Sequence, residues 1–145
     1  MINSINCVVT FSNIFGLGLI LKAFEKNMFT GFLMLFIVLS SVFMHISETK
    51  HNLPGILFVQ YSNILLNIDR FASIVGVIYC IIKILYNPTD SSLLTIDIIA
   101  FGLFGLFGLL MNYCSEIVFK NNQILFAITH IIWHYIAYST LYYFV

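Results

Sequence analysis

The sequence predicts an all-α integral membrane protein: a single domain built as a bundle of about five transmembrane helices. Three observations carry that reading. Of the 145 residues, 61% are hydrophobic and 8% charged, with mean hydropathy +1.01, whereas a soluble domain carries roughly a quarter charged side chains. Apolar runs close to the ~20 residues that cross a bilayer recur along the chain. The breaks between them are short and polar or marked by Pro and Gly, too small for a soluble domain. Six basic and six acidic side chains cancel, so no basic patch is on offer to nucleic acid or an anionic membrane surface.

The first span is expected at 5–21, before Lys22, Glu25 and Lys26. It lacks a basic leading region and a clear small-residue cleavage site, so it reads as a retained span, not a signal peptide. The second covers 28–46 and carries no charge before His45. After Ser47-Glu48-Thr49-Lys50-His51-Asn52, the Leu53-Pro54-Gly55 triplet signals a turn. The stretch 56–61 is apolar but too short to span, and fits a re-entrant or interfacial piece or an early extension of the next helix. The third span covers 64–86, with Asp69 and Arg70 near its start and a snorkelling Lys83 near its end. Asn87-Pro88-Thr89-Asp90 breaks the chain, and Ser91 or Ser92 can cap the next helix.

The fourth span, 93–112, carries Gly102, Gly105 and Gly108, a ridge of small residues that lets a neighbouring helix approach. The fifth, 123–145, ends in Tyr135, Tyr138, Tyr142 and Tyr143, which suit an aromatic belt. The placement of Lys22, Lys26 and Lys83 against Lys50 and Lys120 gives a slight positive-inside bias, favouring an exoplasmic N-terminus. Cys7, Cys80 and Cys114 show neither thiolate-site spacing nor a disulfide framework, and a Cys7–Cys114 pair stays open.

Two of the four histidines, His130 and His134, lie four residues apart in the last span and so share a helix face. Alternating span directions bring the end of the second span and the starts of the third and fifth to one membrane face. His45, Asp69, His130 and His134 then fall in one depth layer, and Ser41 lies one turn deeper than His45. Each has a plainer reading when taken singly: an interfacial histidine, a paired helix-start aspartate, a serine bonded to its own backbone. Their common depth is what those separate readings leave unexplained. Three neutral imidazoles suit zinc, since catalytic zinc sites commonly use three protein ligands and leave the fourth position to water. Asp69 then serves as general base or orients an imidazole, and Ser41 positions water or stabilises an oxyanion. Asp97 and Glu116 stand outside this layer, Asp97 as an interfacial residue, and His51 is expected in a solvent-exposed loop.

The order Ser41-x-x-x-His45, Asp69, His130-x-x-x-His134 resembles the signature of the CREST superfamily of metal-dependent membrane proteins. That superfamily includes alkaline ceramidases, progestin and adiponectin receptors and lipases that remodel GPI anchors. The stretch from His45 through Leu53-Pro54-Gly55 to Leu66-Asn67-Ile68-Asp69-Arg70-Phe71-Ala72-Ser73 looks most like the myomaker-like branch. His130-Ile131-Ile132-Trp133-His134 looks like the version in ceramidases and GPI-remodelling members. The resemblance implies a zinc-dependent intramembrane hydrolase of a lipid amide or ester. Zinc would sit on His45, His130 and His134, with Ser41 and Asp69 as catalytic residues. It also implies seven spans where five are counted here, so the chain reads as a shortened form in which a second copy can supply missing walls. Two other readings stay open: a myomaker-like fusion or remodelling protein with structural zinc, and a receptor or small transporter using the polar layer as a relay.

Overall fold

The computed structural model describes residues 4–86 and 93–145, with side chains from 99 onward in the second stretch. The break at 87–92 and the Asp97 side chain lie outside the described residues. Five long helices make the fold: α1 (Ser4–Lys26), α2 (Met28–Ser47), α3 (Ser62–Tyr86), α4 (Leu93–Tyr113) and α5 (Gln123–Phe144). Two asparagines start helices by accepting from the third residue on, Asn27 from the Thr30 amide at 2.8 Å and Asn122 from the Leu125 amide at 3.1 Å.

Four helical stretches are long and apolar enough to cross a membrane: Ser4–Lys26, Met28–Ser47, Ile99–Val118 and Gln123–Phe144. The helix expected as the third span, α3, is not among them. It is 25 residues long and carries Asp69, Arg70 and Lys83.

Helix α1 lies against both α2 and α5, α3 packs on α2, and α4 packs on α5. Among the described residues α3 and α4 make little contact with each other. The apolar core falls into two parts. The larger joins Leu19, Met34, Val38, Ala72, Tyr138 and Leu141; the smaller joins Val9, Leu53, Phe126 and Ala127. On α5 the inward stripe runs Phe126, His130, His134, Tyr138 at intervals of four residues, so one helix face passes from apolar plug to polar layer to apolar plug.

Two helices depart from α geometry. Helix α1 tightens into a 3-10 turn at Ser12–Phe15, and α4 runs on into a π turn at Cys114–Val118. The 47–61 connection folds back over the end of α2. There the Ile56 amide donates to the Ile46 carbonyl at 2.7 Å, and Gly55 holds a φ of +66°. A side chain on Gly55 would meet both Val59 and the Ser47 carbonyl oxygen, so the turn requires glycine. The apolar stretch at 56–61 ends in a short 3-10 turn, Val59–Tyr61, leading into α3.

Several sequence expectations change here. The glycine ridge acts at one position: a Cβ on Gly108 would collide with Ile136 of α5, while Gly102 and Gly105 face open space. Tyr138, expected in an interfacial belt, is 4% exposed and belongs to the core, whereas Tyr135 and Tyr142 remain outward. All three cysteines are free. His51, expected in solvent, has its ring stacked on Phe126 at 4.1 Å between centroids.

Candidate metal centre

The last turn of α2 delivers His45, and the middle of α5 delivers His130 and His134. All three are buried. Their Nε2 atoms converge: His45 to His130 at 3.0 Å and His45 to His134 at 3.2 Å. Ligand atoms of all three lie within 4.8 Å of one another, so together they can hold a metal ion.

The protons on these rings are fixed by their far sides. His134 Nδ1 lies 2.6 Å from Ser12 Oγ, and the same oxygen lies 2.6 Å from the Val9 carbonyl oxygen. Both contacts need a proton, the hydroxyl has one, and a carbonyl has none. The second proton therefore sits on His134 Nδ1, which donates to Ser12. The same holds at His130: Ser115 Oγ contacts the Asn112 carbonyl oxygen at 2.7 Å and His130 Nδ1 at 3.1 Å. His45 Nδ1 faces the Glu48 carboxylate oxygen Oε2 at 3.0 Å, an acceptor only. These tautomers are assigned from the hydrogen-bond network. In the neutral rings each Nδ1 holds the hydrogen, and three Nε2 lone pairs point at one another.

Three lone pairs at this spacing repel unless a cation lies among them. Zinc–nitrogen bonds of about 2.0–2.1 Å place tetrahedral ligand atoms roughly 3.3 Å apart, close to the two observed separations. The residues therefore fit zinc in donor type, tautomer and spacing, and the outer partners Ser12, Ser115 and Glu48 lock the ring orientations.

Ser41 is buried, with its Oγ 3.2 Å from His134 Nε2. It does not turn back onto its own helix, as its neighbour Ser40 does on the Ile37 carbonyl at 2.8 Å. Asp69 stands apart from the three histidines. It is half-buried on α3, near enough for its charge to act on His45, but among the described residues it makes no hydrogen bond to any of them.

Sequence reasoning missed five contributors: Asn6, Ser12, Asn13, Glu48 and Ser115. Asn6 donates from Nδ2 to the His45 and Glu48 carbonyl oxygens, both at 3.0 Å, tying α1 to the end of α2. Asn13 accepts from the Tyr138 hydroxyl one turn beyond His134. Ser12 and Asn13 sit in the 3-10 turn and Ser115 in the π turn, so both irregular turns aim polar side chains at the histidine layer. Glu48, three residues past His45, was the one legible signal, since the spacing suits a helix-end carboxylate on an imidazole.

A second group, Glu48, His51 and Glu116, can also hold a metal ion. His51 adopts a left-handed backbone (φ 58°), and Gln123 Nε2 holds this loop by donating to the His51 and Asn52 carbonyl oxygens at 3.1 and 2.9 Å. Burial alone would depress the His51 pKa. The Glu116 carboxylate, the Lys120 carbonyl and the Glu48 charge outweigh it, so the imidazole lies above its ordinary 6.5.

The fold and site together define a helical chain of membrane character carrying a buried three-histidine group that can hold a metal ion. No family model, curated protein or solved structure matches the chain.

Proposed function

We propose that this chain is a zinc-dependent intramembrane hydrolase cleaving an amide or ester bond of a membrane lipid, a shortened relative of the CREST superfamily. The observation that carries it is the set of three Nε2 lone pairs turned inward, each fixed by a partner on its Nδ1 hydrogen. His45, His130 and His134 are the ligands. Zinc bound there supplies Lewis-acid chemistry, activating water near neutral pH and polarising a carbonyl.

The surrounding residues divide the remaining work. Ser41, beside His134 Nε2, holds water by its hydroxyl or donates to a developing oxyanion. Asp69 takes the proton: its carboxylate is free of hydrogen bonds and ion pairs among the described residues. Its charge also favours a positive centre at His45.

Purified protein in nanodiscs, screened against ceramides, lysolipids and glycerophospholipids, tests this reading. Wild type should turn over at least one class, and Asp69→Asn or Ser41→Ala should cut kcat by about 100-fold or more while zinc content holds at the wild-type level. Zinc-free wild-type protein, or turnover unaffected by both substitutions, would sink it.

The burial of the histidines between two apolar plugs favours a second reading, a myomaker-like membrane-remodelling protein in which zinc is a structural staple. Zinc held at the three-histidine centre with no turnover of any lipid, and a large fall in thermal stability on chelation, is its signature.

A further inference from the structure

We propose that Glu48, His51 and Glu116 form a second divalent-cation site, joined to the three-histidine centre through the two oxygens of Glu48. The proposal shares Glu48 with the three-histidine centre, but it stands on Glu48 Oε1, His51 Nε2 and Glu116 Oε1, which the hydrolase reading does not use. Glu48 is 2% exposed. Its Oε2 accepts from His45 Nδ1, while its Oε1 is buried and has no hydrogen-bond partner. His51 Nε2 is likewise buried and unpartnered. These two orphaned atoms face each other at 3.9 Å, and Glu116 Oε1 lies 3.7 Å from the same nitrogen.

Those separations are too long for hydrogen bonds, which need about 2.7–3.2 Å. Metal–ligand bonds of about 2.0–2.3 Å span both separations, and ligand atoms of all three residues lie within 4.8 Å of one another. His51 is turned to serve as a ligand, because its Nδ1 faces the Lys120 carbonyl oxygen at 3.1 Å and donates its hydrogen there. That leaves the lone pair of the neutral ring on Nε2. One imidazole and two carboxylates suit a first-row cation such as manganese or zinc. The surrounding Asn52, Asn121 and Lys120 line an open cavity from which water can complete the shell.

Among the described residues, one lysine forms an ion pair with this group. Lys50 Nζ lies 3.7 Å from Glu116 Oε2, with a side chain 40% exposed. It pairs with the outer oxygen and leaves the inner one facing His51. Protonation of His51 together with Lys50 would neutralise both carboxylates without a metal, and the test separates that arrangement from ours.

Detergent-purified full-length protein is dialysed against zinc, freed of loose metal and assayed for bound zinc per chain, in parallel with manganese titration followed by electron paramagnetic resonance. Wild type should hold two equivalents of zinc. Glu116→Gln should hold one, and His134→Ala should keep the one that Glu116→Gln loses. His51→Phe, which preserves the stack on Phe126, provides a second variant and should match Glu116→Gln. Manganese added to zinc-free protein should lose its free-ion signal in wild type and His134→Ala but not in His51→Phe. Equal zinc content in folded wild type, Glu116→Gln and His51→Phe would overturn the proposal and leave the three-histidine reading intact. A single equivalent lost in Glu116→Gln but retained in His134→Ala would do the reverse.

Discussion

The two polar clusters share Glu48 yet solve opposite problems. At the histidine layer every donor is a nitrogen, every ring is locked from behind, and apolar plugs close both ends of the α5 stripe. At the mouth two of the three donors are carboxylates, Glu116 and Lys50 reach solvent, and the imidazole depends on a strained loop for its place. Burying three neutral imidazoles costs far less than burying two carboxylates. The deep cluster can therefore be dry, while the charged one, with Glu48 buried, reaches water through Glu116. Depth selects the chemistry of each cluster.

The largest effect should come from removing a ligand of the deep cluster. His134→Ala leaves two ligands and an orphaned Ser41, and zinc at that centre should vanish from metal analysis of the purified protein. Retention of a full equivalent in a variant that also carries His51→Phe would break the distinction between the clusters. Glu48→Gln comes next, because the shared residue serves both sides. It keeps the size of the side chain but weakens the hold on His45 Nδ1, so zinc affinity at the histidine centre should fall about 10–100-fold in competition with a chromophoric chelator.

Ser12→Ala should weaken the same affinity by roughly tenfold, and Ser115→Ala by less, since its contact to the ring is longer at 3.1 Å against 2.6 Å. Equal or reversed effects in the chelator competition would contradict the tautomer assignment. The smallest effect belongs to the mouth. The His51 pKa is raised above 6.5 in the folded protein, so its charged form stabilises the fold fully below pH 6.5. That contribution is lost as pH rises through the higher folded value. In chelator-treated protein, the gap in thermal midpoint between wild type and His51→Phe should shrink from pH 6 toward pH 8. A gap independent of pH would show that His51 contributes by stacking alone.

Much of this arrangement is legible in the residues. Hydropathy runs and short breaks place five long helices, and four of them carry the apolar length a bilayer demands. The i, i+4 spacing of His130 and His134 and the alternation of helix direction bring His45 into range, because both follow from helix geometry without knowledge of packing. Asp69 shows where expected depth stops being enough: its charge acts on His45, but among the described residues it makes no hydrogen bond to the histidines. The glycine ridge shows the same boundary, with Gly108 pressed against Ile136 and its two companions unpacked. Spacing along a helix tells which residues share a face, and only the neighbouring helix tells which part of that face is covered.

Composition and periodicity thus suffice for the helical membrane character and the identity of the three histidines, since the cost of polarity in an apolar segment and the pitch of an α-helix are local properties. The partners that orient those histidines are not local. Ser12 and Ser115 lie 122 and 15 residues from the rings they hold, on a 3-10 turn and a π turn that no hydropathy pattern announces. Glu116 and His51 meet across the end of the bundle through a left-handed loop. Tertiary packing settles these contacts because it alone decides where a backbone can depart from regular helix and still satisfy its buried hydrogen bonds.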